Sequence, residues 1–536
     1  MSLPRVGRIL LTVGSALVLS APLVAQEAVS FQDMAAYVNK ARERLDVPGI
    51  AVAVVKDGKV VFEQGFGERS LDRHEPVDAH TLFCIASNTK SFTATATEML
   101  DDQGKLKMDD RVIDHLPWFR MAEPYATKEI RIRDLLAHRS GLGSHAGDLL
   151  FLPATSYSTR EVVEHLRDFP LATGFRNSFA YENIMYAVAT LVIEQASGQR
   201  YADFVSQHIF APVGMSESRI DATYLKPGDN VATAYMPDDD GKKLAPVAPL
   251  AWKNASGAAG IYSTVHDMAK WMLVQLDGGK LPDSPARLFS ADNQKRMWST
   301  ITPIDVDDPA VPALAAAQPI SLGYAEGWYN SDYLGRHLVW HDGGFPGMVS
   351  KVMLVPSMRL GIVVLTNQES EGAFDAIVYH VLDAYLHAPA TDWVGAYADA
   401  AALSHKKIAD RTVAVAAGRS PADKPSQPLA KYAGRYNDRW YGDIDVSMEH
   451  GGLRIDFTKS QRMLGSLQPW KHDTFLVHWD DRQLHADAFI DFDVAADGAV
   501  RGAHMRRAQP RTMGAYDYQD LNLIRVGANE KAGGAR

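Results

Sequence analysis

Two β-rich stretches far apart in the chain bracket a mostly helical middle, and this constrains the fold more than any other feature. Gly49–Val55 and Val60–Gly65 flank Lys56-Asp57-Gly58-Lys59, a strong hairpin signal because Asp-Gly accepts the left-handed backbone of a tight turn. Val349–Val355 and Leu360–Thr366 are equally β-rich and are joined by a turn containing Pro356. From about Lys105 to Val247 the pattern is mainly helical, clearest in Ile130–Leu136, Thr159–Leu166, Asn183–Gln195 and Tyr201–Phe210. A further strand is expected around Ala258–Thr264, feeding a helix over His266–Leu276. Amphipathic helices over Gln32–Leu45 and Phe374–Leu386 stand ready to cover a sheet. Together these elements make an α+β domain with a helical insertion.

At 536 residues the chain is too long for one ordinary domain. Residues 1–25 read as a secretory signal peptide: Arg5 and Arg8, an apolar run Ile9–Leu19, and Leu23-Val24-Ala25 with cleavage after Ala25. The run is short for a membrane span, no lipidation cysteine follows it, and no later segment is long and apolar enough to cross a bilayer. A periplasmic or secreted protein without stable membrane insertion is therefore expected. Residues 26–388 form the first domain. Residues 389–428, rich in alanine, charge, proline and serine, read as a helical and proline-rich linker. Residues 429–526 carry short strands at regular spacing with turn signals such as His450-Gly451-Gly452, a small all-β barrel or sandwich, and 527–536 form a tail. On this division, removing everything after Pro428 leaves a folded domain. A net charge of −10 without long runs of one sign argues against nucleic acid as a partner. The single cysteine, Cys84, excludes an intrachain disulfide and a thiolate zinc cage, and no His-Glu-x-x-His cluster occurs, so no metal or cofactor is implied.

The chemistry centres on Ser87-Asn88-Thr89-Lys90, placed after a short strand near Leu82–Ile85 and at the start of a helix. Serine and lysine three residues apart share a helix face, and a helix N-terminus favours a developing oxyanion. A partly desolvated lysine there could take the hydroxyl proton. The plainer alternative is a capping serine beside a solvated lysine, and Ser404–Lys407 has the same spacing, but near the linker and with no strand before it. Tyr181-Glu182-Asn183 opens a later helix. Beside a lysine ammonium its tyrosine could shuttle a proton as a phenolate, or it could be an ordinary buried, hydrogen-bonded tyrosine. His341-Asp342-Gly343-Gly344 precedes the C-terminal strand pair; its glycines would let a substrate approach the backbone, or the segment is a glycine turn with an exposed histidine. Asp342 should alternate to the other face of its strand.

With these three elements in this order, the chain resembles the serine β-lactamase and penicillin-binding protein superfamily, in its class C β-lactamase-like branch of esterases and peptidases. The resemblance covers about residues 30–388 and extends to Val47-Pro48-Gly49, Leu135–Leu142, Pro212–Met215, Ala259-Gly260-Ile261 and the run from His341 to Gly347. The segment after about 429 resembles the lipocalin-like β domain that follows some of these proteins. The resemblance implies an antiparallel sheet flanked by helices with a helical subdomain. It makes Ser87 the acylated nucleophile, Lys90 its activator, Tyr181 the general base or shuttle, and Asn183 the group that holds Lys90 and a substrate amide. His341 takes the place of a third-motif lysine that would meet a substrate carboxylate, Gly343 lies beside it, and the N–H groups of Ser87 and Gly344 form the oxyanion hole. Histidine in that position leans toward esterase or peptidase activity on a small-molecule or peptide substrate. A true β-lactamase or DD-peptidase, and a non-catalytic peptide or cell-wall-fragment binder, are the alternatives. An α/β-hydrolase is excluded, because no Gly-x-Ser-x-Gly elbow occurs. The loops Gly143–Tyr157 and Asp305–Pro319 are expected to shape the pocket.

Overall fold

The computed structural model describes residues 31–527, apart from 239, 240, 242, 420–422, 510, 511 and 513. The expected signal peptide, nearly all of the tail and part of the linker's proline-rich end lie outside the described residues. Helix α1 (Phe31–Arg44) leads into strands β1 (Gly49–Lys56) and β2 (Lys59–Ser70). Asp57 and Gly58 between them have φ of 51° and 81°, the paired left-handed residues of a type I′ hairpin turn. With β3 (Glu75–Pro76), β4 (Thr302–Ile304), β5 (Leu322–Tyr324), β6 (Tyr329–Tyr333), β7 (Arg336–Phe345), β8 (Met348–Val355) and β9 (Leu360–Thr366) they form a nine-stranded sheet in the order β3-β2-β1-β9-β8-β7-β6-β5-β4. Every pairing in it is antiparallel, and the N-terminal strand closes on the C-terminal one, Ile50 opposite Thr366 and Lys56 opposite Leu360.

Alternation along the central strands splits their side chains between two apolar clusters. Ala51, Ala53, Val55, Val352, Leu354, Val363 and Leu365 pack on the side of α2 (Thr89–Asp102), α3 (Ile184–Ser197), α4 (Val265–Leu276) and the helical subdomain. Ile50, Val52, Val54, Met353, Ile362 and Val364 pack with α1, α5 (Glu371–Leu386) and the start of α6 (Trp393–Ala417). Burial on both faces explains why these strands read as unbroken apolar runs.

Three local expectations change. The helix after the serine begins as a 3₁₀ turn, Ala86–Asn88, and α2 starts only at Thr89. Ala86 turns the chain sharply there with φ of +47°. In the Ala258–Thr264 region Ser256–Ala259 is a helical turn, and the strand shrinks to Tyr262–Ser263, paired with Phe83–Cys84. Packing sets that turn: a Cβ on Gly257 would stand 2.3 Å from Thr190 Oγ1 on α3. The third is Asp305–Pro319, whose Leu314 packs into the α1–α5 cluster on the opposite side of the sheet from α2.

In the segment 389–428 the long helix α6 has its first turns buried by Trp393, Val394, Ala396 and Ala398, and the Trp393 indole N–H donates to Asp383 at 2.7 Å. Beyond it, β10 (Gly434–Asp438), β11 (Gly442–Glu449), β12 (Gly452–Phe457), β13 (Leu464–Lys471), β14 (Thr474–Trp479), β15 (Ala488–Val494), β16 (Val500–Arg507) and β17 (Asn522–Arg525) close into a barrel. Its interior is filled by buried rings and aliphatic chains. Phe475 lies 5.5 Å from Phe492, and Phe457 lies 5.3 Å from Trp479. Among the described residues no helix is long and apolar enough to cross a membrane.

The barrel is seated on the helical subdomain. The Ser156 N–H donates to the Lys459 carbonyl at 2.8 Å, and the Tyr157 hydroxyl donates to the Tyr441 carbonyl. Arg439 meets Asp168 at 2.6 Å, and Phe169 packs against Trp440 with ring centroids 4.6 Å apart. These contacts bury apolar surface on both partners, which counts against the expectation that residues after Pro428 are dispensable. A chain ending at Pro428 should express as insoluble protein or melt well below the full chain. Cooperative melting at the full-length temperature would show that the interface contributes little.

Candidate active site

Four elements converge on one amine. Lys90, in the first turn of α2, is fully buried, and its Nζ has three oxygen neighbours: Ser87 Oγ at 3.0 Å, Asn183 Oδ1 at 2.8 Å and the Ala258 carbonyl at 3.0 Å. Ser87 itself is half-buried and reachable. Asn183, at the N-terminus of α3, is oriented by donation from its Nδ2 to Asp148 at 2.9 Å, and the same Asp148 oxygen meets His145 Nδ1 at 2.9 Å. The Ala258 carbonyl comes from the Ser256–Ala259 turn, which gives that turn a chemical purpose.

Aromatic rings desolvate the amine. Nζ lies 4.7 Å from the Tyr181 ring centroid and 5.2 Å from that of Tyr186. His138 sits 4.3 Å from Tyr181 and 4.5 Å from Tyr324, with its Nδ1 accepting the Glu182 N–H at 3.0 Å. Burial pushes the Lys90 ammonium down to about 7, opposed by the negative charges of Asp148 and Asp342. Burial also pushes Tyr181 far above the ordinary phenol range, reinforced by Tyr329 and opposed by its hydrogen bond with Ser87. The expected phenolate is therefore not supported: near neutral pH Tyr181 is a phenol, and the group poised to lose its charge is Lys90.

The third motif lies on β7. His341 is fully buried, and burial lowers it to about 4, so the imidazole is neutral at pH 7. Its Nδ1–H donates to the Asp342 carbonyl at 2.5 Å, and its Nε2 accepts from the Tyr324 hydroxyl at 2.8 Å. Both nitrogens are spent, so His341 braces the ring cluster and offers a substrate no charge. Asp342 does alternate to the other side, opposite Lys351 across the sheet with 3.6 Å between their charges.

The two glycines part company. Gly343 is buried, and a Cβ there would stand 2.2 Å from the Ile85 carbonyl and 2.6 Å from Ser350 Oγ, so its role is to let β7 lie against the turn before Ser87. Gly344 is exposed, and a Cβ on it would meet nothing within 4 Å. Tyr329–Tyr333 pairs with β7 only as far as Trp340, leaving that edge open from His341 onward. Pro346 and Gly347 form a two-residue hairpin turn, so Phe345 and Met348 form its closing pair and the Gly344 N–H alternates toward the open edge.

The structure brings the sequence-predicted Ser87, Lys90, Tyr181 and Asn183 together, and adds Asp148, the Ala258 carbonyl, Tyr324 and the packing of His138, which the sequence did not single out. His138 lies in Leu135–Leu142, Asp148 in the expected pocket loop Gly143–Tyr157 and Ala258 at the start of Ala258–Thr264, but none of these stretches marks the residue itself. Away from this centre a cavity of about 410 Å³ opens beside the β7–β8 turn, lined by Phe345, Pro346, Met348 and Tyr262, with Ser87 outside its lining. Glu63, His80 and His266 bring ligand-type atoms within 4.8 Å of one another, but each imidazole already meets a carboxylate, His80 with Glu217 at 2.9 Å and His266 with Glu63 at 3.0 Å.

Comparison with known proteins bears on the family and the fold. The family profile described as Beta-lactamase matches residues 34–386, and a domain of unknown function, DUF3471, matches residues 418–525. The chain is 31% identical over 444 residues to the unguisins hydrolase ungD′ of Aspergillus campestris, covering 77% of each protein. Among solved structures, the octameric penicillin-binding protein homologue from Pyrococcus abyssi superposes with a TM-score of 0.58 at 19% identity, over 92% of this chain and 100% of that one. A class C beta lactamase from Rhodobacter sphaeroides superposes with a TM-score of 0.51 at 22% identity, over 65% of this chain and 99% of that one. At such identities the two structures bear on the fold alone.

The glycines give a paired test. Gly343→Ala should lower stability by ~1–3 kcal/mol through overpacking against backbone and abolish Ser87 reactivity. Gly344→Ala should melt with the parent protein. Equal melting temperatures for both variants would contradict the close approach at Gly343.

Proposed function

The chain belongs to the beta-lactamase family and is a serine hydrolase, and on that premise we propose that it is exported and cleaves esters or amides, peptides among them, through an acyl-enzyme on Ser87. The observation that carries the reading is the partner set of Lys90. A neutral amine has two N–H bonds and one lone pair. Asn183 Oδ1, whose orientation is fixed by Asp148, and the Ala258 carbonyl can only accept, so they take the two N–H bonds. The lone pair then faces the Ser87 hydroxyl at 3.0 Å. An amine that loses its charge near pH 7 and points its lone pair at the hydroxyl of a half-buried serine is a general base.

The steps follow. Ser87 Oγ attacks the carbonyl carbon as its proton passes to Lys90 Nζ. The oxyanion forms beside the N–H groups of Ser87 and Gly344. Tyr181, a phenol hydrogen-bonded to Ser87, relays the proton to the leaving group. Water, activated by the same amine, then cleaves the ester on Ser87 and restores the serine. A substrate carboxylate would find only a neutral, fully bonded imidazole at His341, which favours esters and peptide amides over β-lactams and DD-peptidase substrates. The hydrolase name of the 31% identical relative supports turnover over simple binding. Export rests on the sequence of residues 1–25.

The first test is intact mass and turnover of the mature protein and of Ser87→Ala with a chromogenic ester, a chromogenic β-lactam and a fluorophosphonate. An adduct and ester turnover that vanish in Ser87→Ala are expected; no adduct with any probe would overturn the reading in favour of a binding protein. The rate of acylation should rise with pH through about 7 and then level, as Lys90 loses its proton. Because the Asp148 charge holds the Lys90 pKa up, Asp148→Asn should move that limb to lower pH. A flat profile from about pH 5 to 9 would remove Lys90 from the role of base.

A further inference from the structure

The loop that orients Asn183 is held from the barrel. Asp517 lies in the connection between β16 and β17 and is fully buried. Its two oxygens accept the N–H groups of Gly147 and Leu149, at 2.7 Å and 3.2 Å. Those residues flank Asp148, which is also fully buried and whose Oδ2 accepts from Asn183 at 2.9 Å. Gly147 has φ of +83°, and a Cβ on it would press Ile184 at 2.9 Å and Phe169 at 3.1 Å, so the loop is clamped between α3 and the ring that packs on Trp440. The carboxylate of Asp148 has one oxygen, Oδ1, with no hydrogen-bond partner, so its position does not follow from its own bonds alone.

We propose that Asp517 of the barrel is a positioning residue for acylation, fixing Lys90 through the 147–149 backbone, Asp148 and Asn183. The proposal rests on the reading of Ser87 and Lys90 as the acylating pair. The two oxygens of one buried carboxyl group accept both N–H groups, which restrains the loop from sliding and sets Asp148 Oδ2 against the Asn183 amide. That bond decides which face of Asn183 is the acceptor. The acceptor in turn holds one Lys90 N–H and aims the lone pair at Ser87. Without Asp517 the Gly147 and Leu149 N–H groups lose their partner in the interior, the loop shifts toward water, and Asn183 can rotate its amide so that the lone pair is lost to Ser87. Through Asp517 the barrel positions the acylating pair although it brings no group to the reacting atoms.

The test uses the full chain. Asp517→Ala should lower the rate of fluorophosphonate labelling and kcat for the ester by roughly tenfold to a hundredfold, with KM nearly unchanged. Asp517→Asn, which keeps one acceptor, should fall between. In an Asn183→Ala background Asp517→Ala should cost little more, because both changes break the same chain of contacts. Asp473→Asn weakens the barrel elsewhere, where Asp473 accepts from the Ser426 N–H at 2.9 Å and from the Tyr432 hydroxyl, and should leave labelling unchanged. Hydrogen exchange at residues 145–150 should quicken in Asp517→Ala and not in Asp473→Asn. Full additivity with Asn183→Ala, a rise in KM alone, or equal loss of labelling in Asp473→Asn would each overturn the proposal. Absence of Ser87 labelling in the unaltered protein would instead overturn the acyl-enzyme reading, while the exchange measurement would still report on the loop.

Discussion

An amine carried into a protein interior must find a partner for every N–H bond, since each one left unmatched costs ~1–3 kcal/mol. Here the solution determines much of the rest. Lys90 meets a side-chain carbonyl from α3, a main-chain carbonyl from the Ser256–Ala259 turn and the hydroxyl it serves. Each partner needs its own support: Asp148 for the Asn183 amide, Gly257 for the approach of the turn to α3, and Gly343 for the approach of β7 to the turn before Ser87. The ring cluster of Tyr181, Tyr186, Tyr324, His138 and His341 adds to the burial that brings the amine down to about 7, so that it can shed its charge near neutral pH. Stability and reactivity here share one cause.

The parts of this arrangement legible in the sequence are those encoded by local spacing. Ser87 and Lys90 lie one turn apart, and Tyr181 and Asn183 span a helix entrance, so a short window contains their geometry. The hairpin at Asp57-Gly58 and the alternating strands of the barrel are local in the same sense. The neutrality of His341 follows from histidine's ordinary range, but the bonding of both its ring nitrogens does not, because that depends on Tyr324 and on burial supplied by distant strands. Tyr181 was expected as a phenolate because one positive neighbour was weighed and desolvation could not be. The Ala258 carbonyl carries no residue signature at all, since any amino acid has one. Asp148 and Asp517 look like ordinary surface acids in a chain with 65 acidic residues, and only the folded structure shows them buried.

The sheet shows a related limit. Its central strands are apolar on both faces, so composition marks them as strands but leaves open which side holds which helix. Register settles it, and register comes from the pairing of the sheet's first strand in the sequence with its last, Ile50 opposite Thr366. The same pairing makes α1 and α5 neighbours on one side and leaves α2, with its serine, on the other.

The filled barrel has a mechanical meaning. A hollow barrel can deform around cargo and absorb a push, whereas one packed with Tyr436, Phe457, Phe475, Trp479 and Phe492 behaves as a solid pin. Displacement at one rim then passes to the other with little loss. The rim that carries Asp517 meets the helical subdomain, so the rim facing away becomes a lever on which a docked partner or a fused protein would act at a distance.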